Sequence, residues 1–288
     1  MSLRKSPAIG AFPALAGLLV AMAAPVGAAT PTPQPVALAT YADLTDLADS
    51  APLIARVQLR KIAQVEPQRA RGLPPGTGRF YVEARTQMLY FGTSTLGESL
   101  RYLVDLPLDA RGKPPKLNRK SLFIFARTVP GRPGELQLVR PDSQLLWDMA
   151  SETRLTGIVA ELNAPGAPGR ISGVREAIHV PGTLAGQGET QVFLATPDGE
   201  PAAITVRREP GQAAIVSVSF SEVVGSDAGL PPRDSLAWYR LACFLPGSLP
   251  RGSNLSEGEA ARAVAERDYR VVMDRLGPCP RTRPRALG

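Results

Sequence analysis

The first 29 residues constrain the rest of the chain more than any other segment. Arg4 and Lys5 open onto an uncharged run from Ala8 to Ala24, with Leu15, Leu18, Leu19, Val20 and Met22 at its centre. Val26-Gly27-Ala28 and Gly27-Ala28-Ala29 both end it in small residues that a signal peptidase accepts. A charged start, an apolar centre and a small-residue end form a secretory signal over residues 1–29. The apolar run falls short of the roughly 20 residues of a membrane span, and Pro7, Pro13 and Pro25 interrupt it. Cleavage would leave about 260 residues, enough for one large or two ordinary domains. No later stretch is apolar enough to span a bilayer, so no transmembrane span is expected once the signal is removed. Residues 30–39, beginning TPTPQP, read as an extended disordered leader.

Export changes how the two cysteines are read. Cys243 and Cys279 lie 36 residues apart, outside any Cys-x-x-Cys arrangement and without a basic activating pattern nearby. In an oxidising compartment such an isolated pair forms a structural disulfide. The formal net charge is +7. The signal supplies two of those charges, and Arg281, Arg283 and Arg285 in the tail supply three more. The body is therefore nearly balanced. Arginine far outnumbers lysine, as a GC-rich genome would dictate without any selection for ligand contacts.

The mature chain reads as α+β, with a β-rich unit over 40–140, an α+β unit over 141–280 and a basic disordered tail over 281–288. Thr40 and Asp43 have capping-box spacing, and Tyr41, Leu44, Leu47 and Ala48 recur at helical spacing until Pro52. Leu53 to Val65 alternates as a strand, with a parity break at Lys61-Ile62 that suggests a bulge. Phe80 to Phe91 is a second strand, with Phe80, Val82, Ala84, Met88 and Tyr90 on one face. Leu100 to Leu106 is a third, and Leu136 to Val139 a short fifth. Leu122 to Ala126 is apolar on both faces, which predicts a central strand. One helix and about five antiparallel strands suit a small barrel or a strongly curled sheet.

In the second unit, Leu155, Ile158, Val159 and Leu162 form an amphipathic helical face. Three strands follow: Thr190–Ala195, Ala203–Arg208 and Ala214–Val223. A helix capped by Asp234 runs to Leu245. A last helix, capped by Ser256 with Glu259, runs to Leu276 and ends at Gly277-Pro278. A bridge from Cys279 to Cys243 would pin that helix to its predecessor.

The entry ADLTDLADSAPLIARVQL (Ala42–Leu59) and the order of elements from Thr40 to Val139 resemble the OB-like barrels of netrin and tissue-inhibitor-type modules. That resemblance implies a barrel. Tissue inhibitors act through a cysteine at the mature N-terminus, which this chain lacks there, so inhibition does not carry over. The whole chain also resembles uncharacterised conserved exported proteins of Gram-negative bacteria. This implies a periplasmic or secreted location and no particular activity.

The chemistry-bearing motifs are sparse. His179 is the sole histidine, and it reads as partly buried or as a surface residue rather than as a triad member. No Gly-x-Ser-x-Gly elbow, phosphate-binding loop or dinucleotide fingerprint occurs, so no catalytic residue, metal or cofactor is assigned. Asp43, Asp46 and Asp49 at i, i+3 spacing could bind Ca²⁺, but they read better as a solvated helix face. Glu83, Asp105 and Asp109 are conceivable acid/base groups. Trp238, Tyr239 and Phe244 read as core in preference to a pocket lining. Arg111, Lys113, Lys116, Arg119 and Lys120 form the densest positive patch, a possible anion-facing loop. Aromatics are not interleaved with it, so nucleic acid is not expected as its ligand.

These features predict a non-catalytic binding or interaction protein of the cell envelope, whose partner is an envelope protein or an anionic envelope component. The alternative is a hydrolase of unrecognised type using Ser, Asp or Glu.

Overall fold

The structure, a computed structural model, describes residues 39–92, 95–221 and 229–283. The expected signal, all of the expected leader but its last residue, and residues 284–288 of the expected tail lie outside the described residues. Helix α1 (Tyr41–Ser50) starts with the expected capping box: the Thr40 hydroxyl accepts from Asp43 N–H, and the Asp43 carboxylate accepts from Thr40 N–H. Pro52 follows immediately and turns the chain into the first sheet.

That sheet contains β1 (Leu53–Gln64), β2 (Thr77–Phe91), β3 (Ser99–Pro107), β4 (Ser121–Thr128), β5 (Leu136–Leu138) and β6 (Gln144–Leu146). The order is β3-β2-β1-β4-β5, with β6 also pairing β4 and every pair antiparallel. Its inner face buries Ala55, Val57, Leu59, Phe80, Val82, Leu100, Val104 and Ile124, among others. The register of β1 against β2 slips between Leu59 and Lys61, where the parity of the sequence breaks. The even-numbered apolar face of β2 ends at Ala84, however. Met88 is 46% exposed, and Tyr90 packs instead against the second core. The expected single face fails because the pairing with β1 shifts register twice more, between Arg56 and Val57 and between Ile54 and Ala55, so the end of β2 loses the parity of Phe80–Ala84.

The sheet does not close into a barrel. It curls until β3 meets the residue just before β5 in one parallel bridge, Arg101 with Glu135. Arg101 N–H donates to Gly134 O (2.8 Å) and Asp105 N–H to Pro141 O (2.7 Å). No ladder joins the two edges. The reason lies in the sequence around β5: Pro133 and Pro141 flank it, and neither has an N–H to give a ladder.

The second sheet has four strands where three were expected: β7 (Gly173–Pro181), β8 (Gly188–Ala195), β9 (Ala203–Arg208) and β10 (Ile215–Ser219), in order β10-β9-β8-β7. Strand β7 escapes sequence reading because a glycine and a proline mark its ends and only Ala177 and His179 on it are buried. β10 stops at Ser219, and the final residues of the strand expected through Val223 lie outside the described residues. Helices α2 (Met149–Leu162), α3 (Leu236–Ala242) and α4 (Gly258–Leu276) complete the chain. They share one core with α1 and the second sheet, including Leu44, Leu155, Ile158, Val192, Ile204, Trp238, Tyr269 and Val272. Phe123 and Phe125 of β4 join that core, while Leu122, Ile124 and Ala126 face the first. The central strand is therefore buried on both faces, as its composition predicts.

Two helix starts differ from expectation. Ser235, not Asp234, caps α3 by accepting from Trp238 N–H (3.2 Å). At α4 the Ser256 hydroxyl is not a cap. It accepts the backbone N–H of His179 (2.9 Å), a tertiary bond to β7. Cys243 and Cys279 form the expected disulfide, joining the end of α3 to the residues just after α4. Trp238 Nε1 donates to Leu276 O (2.8 Å), satisfying one of α4's terminal carbonyls beside that bridge.

Candidate anion-binding surfaces

The loop between β3 and β4 carries the five cations singled out from the sequence. Its first turn is held by Asp109, whose carboxylate accepts from the N–H groups of Arg111 (2.9 Å) and Lys113 (2.8 Å). Gly112 takes a left-handed conformation (φ +72°) at the turn. Leu117 is buried in the first core and anchors the middle. Arg119 N–H donates to Leu59 O (2.9 Å), and Leu59 N–H to Lys120 O (3.0 Å), so the loop's end is stitched to β1. Arg111, Lys113, Lys116, Arg119 and Lys120 are all exposed, and none forms an ion pair with a described residue. The backbone is fixed while the charges face water.

A second cationic surface was not legible in the sequence. Where the edges of β3 and β5 fail to pair, a cleft of about 670 Å³ opens, lined by Arg79, Tyr81, Arg101, Leu103, Arg127 and Arg132, among others. Arg79 is held bidentately by Asp105 (2.7 and 2.8 Å), and Arg132 pairs with Glu135 (3.3 Å). Arg101 and Arg127 are exposed and make no side-chain bond to a described residue. Leu103, between the charged Arg101 and Asp105 on the outer face of β3, is 48% exposed. That exposed leucine was the only local signal of the cleft. The approach of β3 to β5 is a long-range fact that no local pattern encodes.

The three aspartates of α1 are not a solvated face. Asp43 is 1% exposed and accepts from Thr282 N–H, Thr282 O–H and Arg283 N–H. Asp46 accepts from the Tyr239 hydroxyl (2.5 Å) and Arg281 Nε (2.8 Å). Asp49 receives both terminal nitrogens of Arg240 (2.9 Å each) and Arg170 Nε (3.0 Å). Burial works to raise the pKa of Asp43 and Asp49. The Thr282 and backbone bonds at Asp43, and the Arg240 and Arg170 charges at Asp49, outweigh it and hold both below the usual carboxylate range. The start of the tail is correspondingly ordered. Arg281–Arg283 clasp α1, and Arg283 also reaches Asp142 (2.6 Å). Each of the three carboxylates is compensated where it is buried: Asp43 by hydroxyl and backbone donors, Asp46 by Arg281, and Asp49 by Arg240 and Arg170.

His179 is also not a surface residue. It is 7% exposed, with Nδ1 2.9 Å from the Thr190 hydroxyl. That hydroxyl donates to Asp268, which also receives Arg208 Nε. Since Thr190's one proton goes to Asp268, Nδ1 of His179 must carry the hydrogen of their mutual bond. Burial pushes the ring's pKa below its usual value, Asp268 opposes this and Arg208 adds to it, so the ring stays neutral at pH 7. The chain Arg208–Asp268–Thr190–His179 ties α4 to three strands of the second sheet. Glu152 serves similarly at the first sheet, accepting from Arg56, Tyr90 and Trp147 Nε1. These buried or clamped carboxylates are each committed to structural donors. Of the other acids considered, Glu83 pairs with Lys61 (3.6 Å), Asp105 with Arg79, and Asp109 folds its own loop. Trp238 and Tyr239 are core, and Phe244 packs at its margin.

Comparison of the sequence with models of known protein families finds no match, and comparison with curated proteins likewise finds none. No helix among the described residues is long and apolar enough to cross a membrane.

Proposed function

We propose that the chain is exported to the periplasm of a Gram-negative bacterium and acts there as a non-catalytic binding protein of the cell envelope. Its ligand is an anionic envelope component met by the β3–β4 loop. The observation that carries this reading is the loop itself: five exposed cations without described ion-pair partners, on a backbone held by Asp109, Leu117 and Leu59. A rigid, single-signed loop attracts anions at little cost in ordering entropy. The bonded disulfide is compatible with an oxidising compartment. The strand order β3-β2-β1-β4-β5, with β5 approaching β3 in parallel, supports an OB-like reading of the first sheet.

The test is co-sedimentation of the mature chain with vesicles of phosphatidylcholine alone and of phosphatidylcholine with phosphatidylglycerol. Each cation near an anionic surface contributes about 1 kcal/mol. Binding should appear only with the anionic vesicles, weaken with salt, and collapse when all five cations become glutamine. Equal binding to both vesicle types, or an unaffected quintuple variant, would overturn the reading. Recovery of full-length chain carrying residues 1–29 from the cytosol would overturn its location.

A further inference from the structure

We infer that the cleft at the β3–β5 seam is a second binding site, and that its occupant is an extended acidic segment of a partner protein with carboxylates on alternate residues. The inference rests on the binding-protein reading above but uses a different surface.

The register places the charges. Arg127 of β4 lies opposite Gln137 of β5, and Arg101 of β3 bridges Glu135, the residue just before β5. The two guanidinium side chains, without partners among the described residues, therefore start two residues apart along the seam, on strands either side of β5. In an extended chain, same-face side chains two residues apart are separated by roughly 6.6 Å. A peptide lying along the seam with the pattern acidic–x–acidic matches that step, whereas adjacent acidic residues would point to opposite sides. Leu103 and Tyr81 offer apolar area beside the charges for the methylene stems of the peptide's glutamates. Arg79 and Arg132 already hold Asp105 and Glu135, so they add local positive potential without being free to grip. A guanidinium left over beside such pairs is suited to bidentate capture of a carboxylate.

The probe is a fluorescent peptide, acetyl-Ser-Glu-Val-Glu-Val-Glu-Ser-amide, followed by anisotropy with the mature chain. Two control peptides carry glutamine for glutamate, or the same three glutamates placed consecutively. The alternating acidic peptide should bind, with both controls weaker by about tenfold or more, the worth of a lost charged hydrogen bond. Arg101→Gln and Arg127→Gln should each reduce binding by a similar factor. Replacing Lys113 and Lys116 by glutamine should leave it unchanged. Absence of binding, equal binding of the consecutive-glutamate peptide, or indifference to Arg101→Gln and Arg127→Gln would each overturn the proposal. Sedimentation showing a dimer dissolved by those two substitutions would assign the cleft to a second copy of the chain and overturn it as well. Vesicle binding lost through the loop variant leaves this result untouched, so failure of either reading is distinguishable from failure of the other.

Discussion

Replacing both Cys243 and Cys279 by serine should destabilise the protein by about 4 kcal/mol. The bridge closes a loop of sequence separation 36, and the chain-entropy relation for that length yields about 4 kcal/mol at room temperature. For a chain of this size each kcal/mol moves the melting temperature by about 2–4 °C, so the shift should be about 8–16 °C. A second effect follows from what lies just beyond the bridge. Cys279 fixes the start of the segment whose Arg281 holds Asp46, whose Thr282 holds Asp43 and whose Arg283 holds Asp142. Without the bridge these bonds must order the segment after α4 unaided, at a cost in backbone entropy for each residue held. Asp46→Ala should therefore cost less in the bridgeless background than in the intact protein, with a coupling between about 0.5 and 3 kcal/mol. Urea unfolding followed by tryptophan fluorescence suits the measurement, because the buried Trp238 sits beside the bridge. A loss below about 1 kcal/mol would refute the entropic argument. Strict additivity with Asp46→Ala would refute the clasp.

Two further outcomes follow from the buried polar groups. Asp268→Ala should cost about 3 kcal/mol, because it leaves Arg208 and the buried Thr190 hydroxyl without their acceptor; Asp268→Asn, which keeps an acceptor for Thr190, should cost less, and thermal melts in which both variants match the parent would refute the network. Stability should fall on acidification in two windows. His179 is held below its usual value, so its contribution is complete above about pH 6.5 and is lost as pH falls through that value toward the lower folded one. Asp43, Asp49 and Glu152 are likewise depressed, so their contribution is complete above about pH 4 and is lost as pH falls through their folded values. Urea midpoints measured from pH 8 to pH 3 check the sign, and a midpoint that rises below pH 6 would refute it.

Elements with local signals were legible. The Thr40–Asp43 box marked the start of α1, and the doubly apolar Leu122–Ala126 run marked β4 as central. The parity break at Lys61 marked the bulge. Each of these depends on neighbours within a few residues. Ser256 shows where that logic stops. Its sequence context is that of a helix cap, yet its hydroxyl is spent on His179, 77 residues away. The same holds for β7, whose few buried positions acquire meaning only when β8 lies beside it.

The sequence by itself determined the α+β class, the cysteine pairing and the exposure of the β3–β4 cations, because composition and spacing govern those. Only the tertiary structure decided that the three aspartates on α1 are held by Thr282 at Asp43, by Arg281 at Asp46 and by Arg240 and Arg170 at Asp49. It alone brought Arg101 and Arg127 to one open seam. Charges take their role from what stands within a few ångströms, and in a folded chain those neighbours are set by packing, not by position along the backbone.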